Sequence, residues 1–148
     1  MTIYFDMDGT IADLYSVDDW LIKLRDFIPT PYLEAKPMMR FSLLARYLNL
    51  LQVKGYRIGI VSWLSKNSNS FYDEKVTEAK KAWLKKHLPS VHFDEIHIVP
   101  YGTPKSQVVS EIGILFDDEE SNRSEWRKAG GIALNNDNIL ERIHFWLA

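Results

Sequence analysis

Near the start of the chain the apolar run Ile3-Tyr4-Phe5 leads into Asp6-Met7-Asp8-Gly9-Thr10. Successive side chains on a strand point to opposite faces, so two carboxylates one residue apart share a face while the backbone stays extended. Gly9 marks where it turns. Two carboxylates are thereby gathered at a strand end, and like charges so placed persist only if a cation or a proton offsets their repulsion. The pair points to a bound metal or to proton transfer. Packing gives no reason for it.

An open parallel sheet binds ligands beyond the carboxyl ends of its strands, so the residue after each apolar run is the one to weigh. Ser62 ends the run from Arg57, Lys105 follows Ile96-His97-Ile98-Val99, and Asp117-Asp118 ends the run from Ile112 to Phe116. Singly, each has an ordinary structural role: Asp8-Gly9 as a turn, Ser62 as a strand-end hydroxyl, Lys105 as surface charge, Asp117-Asp118 as a polar loop or helix cap. As a set, four carboxylates, a hydroxyl and an ammonium on one rim make a balanced site for a metal and an anion. Thr103-Pro104 starts a helix, and the macrodipole disfavours a cation in its first turn, so Lys105 makes better sense with a negative group beside it. Hard oxygen ligands suit Mg²⁺. Metal, lysine and hydroxyl together hold a phosphoryl group.

The elements that must position these residues alternate. Ser16 caps a helix with Val17, Trp20, Leu21, Leu24 and Ile28 on one face, ended by Pro29 and Pro31. A second helix carries Phe41, Leu44, Ala45, Leu48 and Leu51 and stops near Gly55. The strand to Ser62 and a polar loop, Ser65 to Ser70, precede a third helix with Val76, Ala79, Trp83 and Leu84, which runs to Pro89. Strands at Ile96–Val99, Ile112–Phe116 and Ile132–Leu134 follow, with helices after Thr103, around Glu125–Ala129 and over Ile139–Leu147. Such alternation predicts an α/β fold, a doubly wound, mainly parallel sheet.

The chain's 148 residues, 46% hydrophobic, predict one domain, 1–148, with a genuine core. A net charge of −2 argues against polymeric nucleic acid as a main partner. The basic stretch Lys80, Lys81, Lys85, Lys86 reads as one solvated helix face. The absence of cysteine excludes disulfides and thiolate sites and fits a reducing cytoplasm. No stretch approaches a membrane span, and early acidic residues do not fit a secretory signal. His87, His92, His97 and His144 lack metal-ligand spacing and read as structural.

The order Asp6-Met7-Asp8-Gly9-Thr10, Ser62, Lys105, Asp117-Asp118, each after a strand, resembles the four motifs of the haloacid dehalogenase (HAD) superfamily. That resemblance implies a Rossmann-like core and Mg²⁺-dependent phosphoryl transfer through an aspartyl phosphate. It makes Asp6 the nucleophile and Asp8 the acid and base, with Ser62 and Lys105 holding phosphoryl oxygens. Asp6, the backbone carbonyl of Asp8, and Asp117 would ligate Mg²⁺, and Asp118 and Thr10 would support the site. An aspartate at position 8 favours a phosphatase over a dehalogenase within the family.

The stretch between the first motif and Ser62 is short and its second helix belongs to the core, so residues 13–39 must supply any cap, a small helical insert. Trp20 reads as core packing, while Tyr15 and Tyr32, beside turns or prolines, are freer to meet a ligand. The segment Ser62 to Leu88 is similar to that of 5′(3′)-deoxyribonucleotidases in the same superfamily, although Trp63 stands where those enzymes commonly carry a small residue. The resemblance implies a deoxynucleoside monophosphate, and Tyr15, Tyr32 and Trp63, near the expected site mouth, are the rings expected to stack the base. Other small phosphate esters and polynucleotide ends are alternatives, and a phospho-receiver signalling module uses similar parts in another order.

Overall fold

The computed structural model describes residues 1–148. Strand β1, Thr2–Phe5, is buried along its whole length. The chain then leaves the sheet through a two-residue strand, β2 (Ala12–Asp13), and returns through β3 (Lys36–Pro37), its antiparallel partner. Between them lie a 3₁₀ turn at Leu14–Ser16 and two short helices, α1 (Trp20–Arg25) and α2 (Thr30–Glu34). Next come α3 (Phe41–Val53), β4 (Arg57–Trp63), α4 (Ser70–His87) and β5 (Glu95–Val99). The chain ends with β6 (Ile114–Phe116), α5 (Glu120–Lys128), β7 (Ile132–Leu134) and α6 (Ile139–Leu147).

The main sheet has five strands in the order β5-β4-β1-β6-β7. Every neighbouring pair is parallel. This is the doubly wound, Rossmann-like arrangement predicted above. Chain progress outward from β1 through β4 and β5 reverses at β6, so the crevice between β1 and β6 is the switch point where such sheets bind ligands. A receiver-type sheet has a different order, with its second strand at the edge.

Period-two alternation decides which helices cover which face. Ile3, Phe5, Ile58, Ile60, Ile114 and Phe116 join Leu44, Leu48 and Leu51 of α3 and Ile139 and Ile143 of α6 in the largest core cluster. Tyr4, Val61, Leu115 and Ala133 turn the other way and pack with Trp126 of α5. Its indole N–H donates to the Gly113 carbonyl at 3.0 Å and its ring meets Tyr4 edge-on at 5.5 Å. Removing a core tryptophan of this kind typically costs about 3–5 kcal/mol.

Three expectations change. The first helix begins at Trp20, not after Ser16, because Asp19 takes a left-handed φ of 57° and breaks the run. It ends early because Phe27, also at φ 57°, turns the chain over. No helix follows Thr103-Pro104: only a three-residue 3₁₀ turn, Lys105–Gln107, forms, and it has no macrodipole of consequence. The fourth large strand starts at Ile114 rather than Ile112. No helix is long and apolar enough to cross a membrane.

Candidate active site

Asp6 leaves β1 with its N–H bonded to Phe116 O at 2.9 Å, and Asp117 leaves β6 with its N–H bonded to Leu134 O at 3.0 Å. The two carboxylates therefore stand side by side at the switch point. A turn follows in which Thr10, Ile11 and Ala12 all donate backbone N–H groups to the Met7 carbonyl. Gly9 takes φ +80°, and a Cβ there would lie 2.4 Å from Asp118 Oδ2 and 2.8 Å from the Tyr15 ring. Glycine is thus required both by the backbone and by the closeness of Asp118.

Lys105 lies between the two strand ends, 2% exposed, and donates to Asp6 Oδ1 at 3.0 Å and to Asp117 Oδ2 at 2.6 Å. Burial works against its charge, but the Asp6 and Asp117 carboxylates hold its pKa above the ordinary lysine range. The negative neighbour inferred for Lys105 is present, though the supposed helix dipole is not its cause. Asp117 is fully buried, with Oδ2 also accepting from Asn122 Nδ2 at 3.2 Å and Oδ1 from the Glu119 N–H at 2.9 Å. Thr10 Oγ1 lies 3.2 Å from Asp6 Oδ2 and 3.1 Å from Asp118 Oδ1.

Carboxylate oxygens of Asp6, Asp117 and Asp118 all lie within 4.8 Å of one another. Burial, then the neighbouring Asp6, pushes Asp118 up to about 8 and Asp117 up to about 6. A set of hard anionic oxygens that resist ionising together fits a small divalent cation. The Asp8 side chain is not in this trio, and only its backbone carbonyl is expected to be a ligand. Asp118, read as a support, stands among the trio itself.

Asp8 is held elsewhere. Its Oδ2 accepts from Lys80 Nζ at 2.9 Å, and Lys80 also donates to Ser62 Oγ at 2.8 Å and to Trp63 O at 2.7 Å. Burial raises the Asp8 carboxyl, and Lys80 opposes that rise. The solvated-face reading holds for Lys81, Lys85 and Lys86 and fails for Lys80, which is 1% exposed. The signal was in the spacing: Lys80 falls four residues after Val76, three before Trp83 and four before Leu84, on the buried face of α4. Ser62 is fully buried, its Oγ accepts from Lys80, and it is not among the residues that line the cleft.

A cleft of about 510 Å³ opens above Asp6, Asp8, Lys105 and Asp118. Its walls include Tyr15, Trp20, Tyr32, Trp63 and Tyr101. Tyr15, 48% exposed, lines the cleft with its ring edge-on to Trp20. Trp63 tilts against Tyr101 with centroids 4.9 Å apart and anchors its indole N–H on Thr103 O at 2.8 Å. Tyr32 is 4% exposed, bonded through its hydroxyl to Ser65, and its ring lies 5.1 Å from Lys80 Nζ. It is built into the wall by Leu14, Tyr72, Val76 and Ala79, so the expectation of a free tyrosine fails there. Trp20 packs on this cluster as expected and also lines the cleft.

No protein-family model matches the chain, and no curated protein matches it in sequence. Among solved structures it is similar to the D,D-heptose 1,7-bisphosphate phosphatase from Burkholderia thailandensis, with a TM-score of 0.61 and 14% identity. The match covers 99% of this chain and 98% of that one. At that identity the likeness establishes the fold, over the whole length of both chains.

Proposed function

We propose that the protein is a Mg²⁺-dependent phosphomonoesterase acting through an aspartyl phosphate. The observation that carries the reading is the Lys105 ammonium shared by Asp6 and Asp117, with Asp118 alongside, in the β1/β6 crevice. The motif resemblance to the HAD superfamily and the fold shared with a phosphatase support it. Asp6, Asp117 and Asp118 would hold the cation, whose chemistry there is to neutralise phosphoryl charge.

Asp6 attacks phosphorus: one carboxylate oxygen forms the new P–O bond while the ester P–O bond breaks. The leaving oxygen takes the electron pair and a proton from Asp8. Water then attacks the aspartyl phosphate and gives its proton to Asp8, and the P–O bond to Asp6 breaks to restore the carboxylate. Lys105 makes two hydrogen bonds and an ammonium has three, so one N–H remains for a phosphoryl oxygen. A cleft of about 510 Å³ suits a small ester.

For the substrate we favour a deoxynucleoside monophosphate, 5′(3′)-deoxyribonucleotidase-like, its base against Tyr15 or the Trp63–Tyr101 pair. The half-exposed ring of Tyr15 and the tilted pair, all lining the cleft, favour this over a sugar phosphate, since flat bases stack on rings. The test is phosphate release, with and without Mg²⁺, from deoxynucleoside monophosphates, sugar phosphates and phosphorylated oligonucleotides, with Asp6→Asn as control. Metal-dependent release that is greatest for nucleotides and lost by several orders of magnitude in Asp6→Asn is the expected result. Full activity in excess chelator, or near-wild-type turnover by Asp6→Asn, would sink the mechanism.

A further inference from the structure

Lys80 is a fully buried cation that the proposed reaction does not use. Its three N–H bonds are all spent, on Asp8 Oδ2, Ser62 Oγ and Trp63 O, at 2.7–2.9 Å. An ammonium has no fourth donor, so Lys80 has nothing left to offer a phosphoryl group. Lys105, with two bonds to carboxylates, has one to spare. The two buried lysines are therefore not interchangeable.

Burying a lysine is costly unless it is paired and its donors are satisfied. Lys80 joins three elements at that expense: the turn after β1, the end of β4 and the middle of α4. What it holds at the cleft is one oxygen of Asp8. Asp8 Oδ2 is occupied by the ammonium, while the only buried side-chain oxygen or nitrogen without a partner in the protein is Asp73 Oδ1. Asp8 Oδ1 is thus the oxygen left to the cleft, which Asp8 lines.

We propose that Lys80 is a positioning residue that fixes the Asp8 carboxyl group so that Oδ1 alone exchanges the proton with the leaving oxygen and then with water. The inference rests on the phosphomonoesterase reading. A proton on Oδ2 would turn the oxygen that accepts from the ammonium into a hydroxyl, a poorer acceptor for a cation, whereas a proton on Oδ1 leaves the Lys80 bond intact. The bonds to Trp63 O and Ser62 Oγ tie Nζ to the end of β4, so the ammonium that holds Asp8 Oδ2 is itself fixed.

The test compares Lys80→Met with wild type on an alkyl phosphate and on p-nitrophenyl phosphate, and adds a crystal structure of the variant. A poor leaving group needs the acid and a good one does not, so kcat should fall about a hundredfold on the alkyl ester and less than about tenfold on the aryl ester. KM should change little, because Lys80 does not touch the phosphoryl group. In the variant structure the Asp8 carboxylate should have left its wild-type position. Equal losses on both esters, or an unmoved Asp8, would overturn the proposal. If Lys80→Met leaves a buried carboxylate too costly for folding, Lys80→Met/Asp8→Asn is set against Asp8→Asn. With no acid to position, the added loss should stay within about twofold, and a further hundredfold loss would overturn the proposal. A wild type inactive on every ester, with Asp8 displaced in the variant, would remove the phosphatase reading while supporting the anchoring of Asp8.

Discussion

At the scale of single residues, two buried lysines divide the aspartates between them: Lys105 takes Asp6 and Asp117, and Lys80 takes Asp8. A third charged knot lies at the other end of the sheet. Glu95 Oε1 accepts from the Ser110 N–H at 3.1 Å and meets His97 Nε2 at 2.8 Å, while Oε2 meets Ser110 Oγ and, at 3.4 Å, Arg57 Nη2. Burial alone would raise this carboxyl, yet the Ser110 and His97 bonds bring it down to about 2. The unfolded chain then holds this proton in a range where the folded chain has released it, so the unfolded state binds more protons there and stability rises with pH. The contribution of Glu95 is complete above about pH 4.5 and is lost as the pH falls toward about 2. Glu95→Gln should flatten the acid limb, as read by circular dichroism between those values, and an unchanged acid midpoint would contradict the assignment. Asp6, Asp8 and Asp117 are legible in the sequence because each follows an apolar strand. Lys80 is hidden among Lys81, Lys85 and Lys86, and only the helical phase set by Val76 and Trp83 separates it from them.

At the scale of elements, the sheet is legible because its strands are short apolar runs bounded by turns, and α3 and α6 because their apolar spacing is regular. The insert between β2 and β3 is not. Its spacing from Val17 to Ile28 suggests one long helix, but left-handed residues at Asp19 and Phe27 fold it into short pieces that pack over the cleft. The Phe27 ring meets Tyr72 of α4 edge-on at 5.5 Å, a tertiary contact that local periodicity cannot reveal. This changes what its tyrosines are expected to do. Tyr15→Ala, and likewise Trp63→Ala, should lower kcat/KM for a deoxynucleoside monophosphate about tenfold to a hundredfold and leave a simple aryl phosphate nearly untouched. Tyr32→Ala, by contrast, removes a buried ring from the cluster of Leu14, Leu64, Tyr72, Val76 and Ala79, and its main effect should be a stability loss of about 3 kcal/mol. Steady-state kinetics on both esters, with urea denaturation of each variant, separates the two behaviours. Equal losses on both esters for Tyr15→Ala and Trp63→Ala would leave the general phosphatase reading without its nucleotide.

At the scale of the whole molecule, the acidic trio lies where the two halves of the sheet meet, so its repulsion is a strain on the fold and not only on the site. Asp6 belongs to the β1 end, Asp117 and Asp118 to the β6 end, and Lys105 alone bridges Asp6 and Asp117. A cation bound by this trio would bind the folded chain and have no such site in the unfolded one, so it must stabilise the fold. At a Mg²⁺ concentration one hundred times the dissociation constant the linkage is worth about 2.7 kcal/mol. For a chain of this length each kcal/mol moves the melting temperature by about 2–4 °C, which gives a rise of roughly 5–10 °C. Differential scanning calorimetry with Mg²⁺ and with chelator measures it directly. Above about pH 8, where the Asp118 carboxyl is ionised without metal, Asp118→Asn removes one charge from the trio and should melt higher than wild type in chelator; at any pH it should gain less from Mg²⁺, because the repulsion and the site are the same feature. A wild type whose melting temperature is indifferent to saturating Mg²⁺ would show that Lys105 and protons balance these carboxylates without a metal.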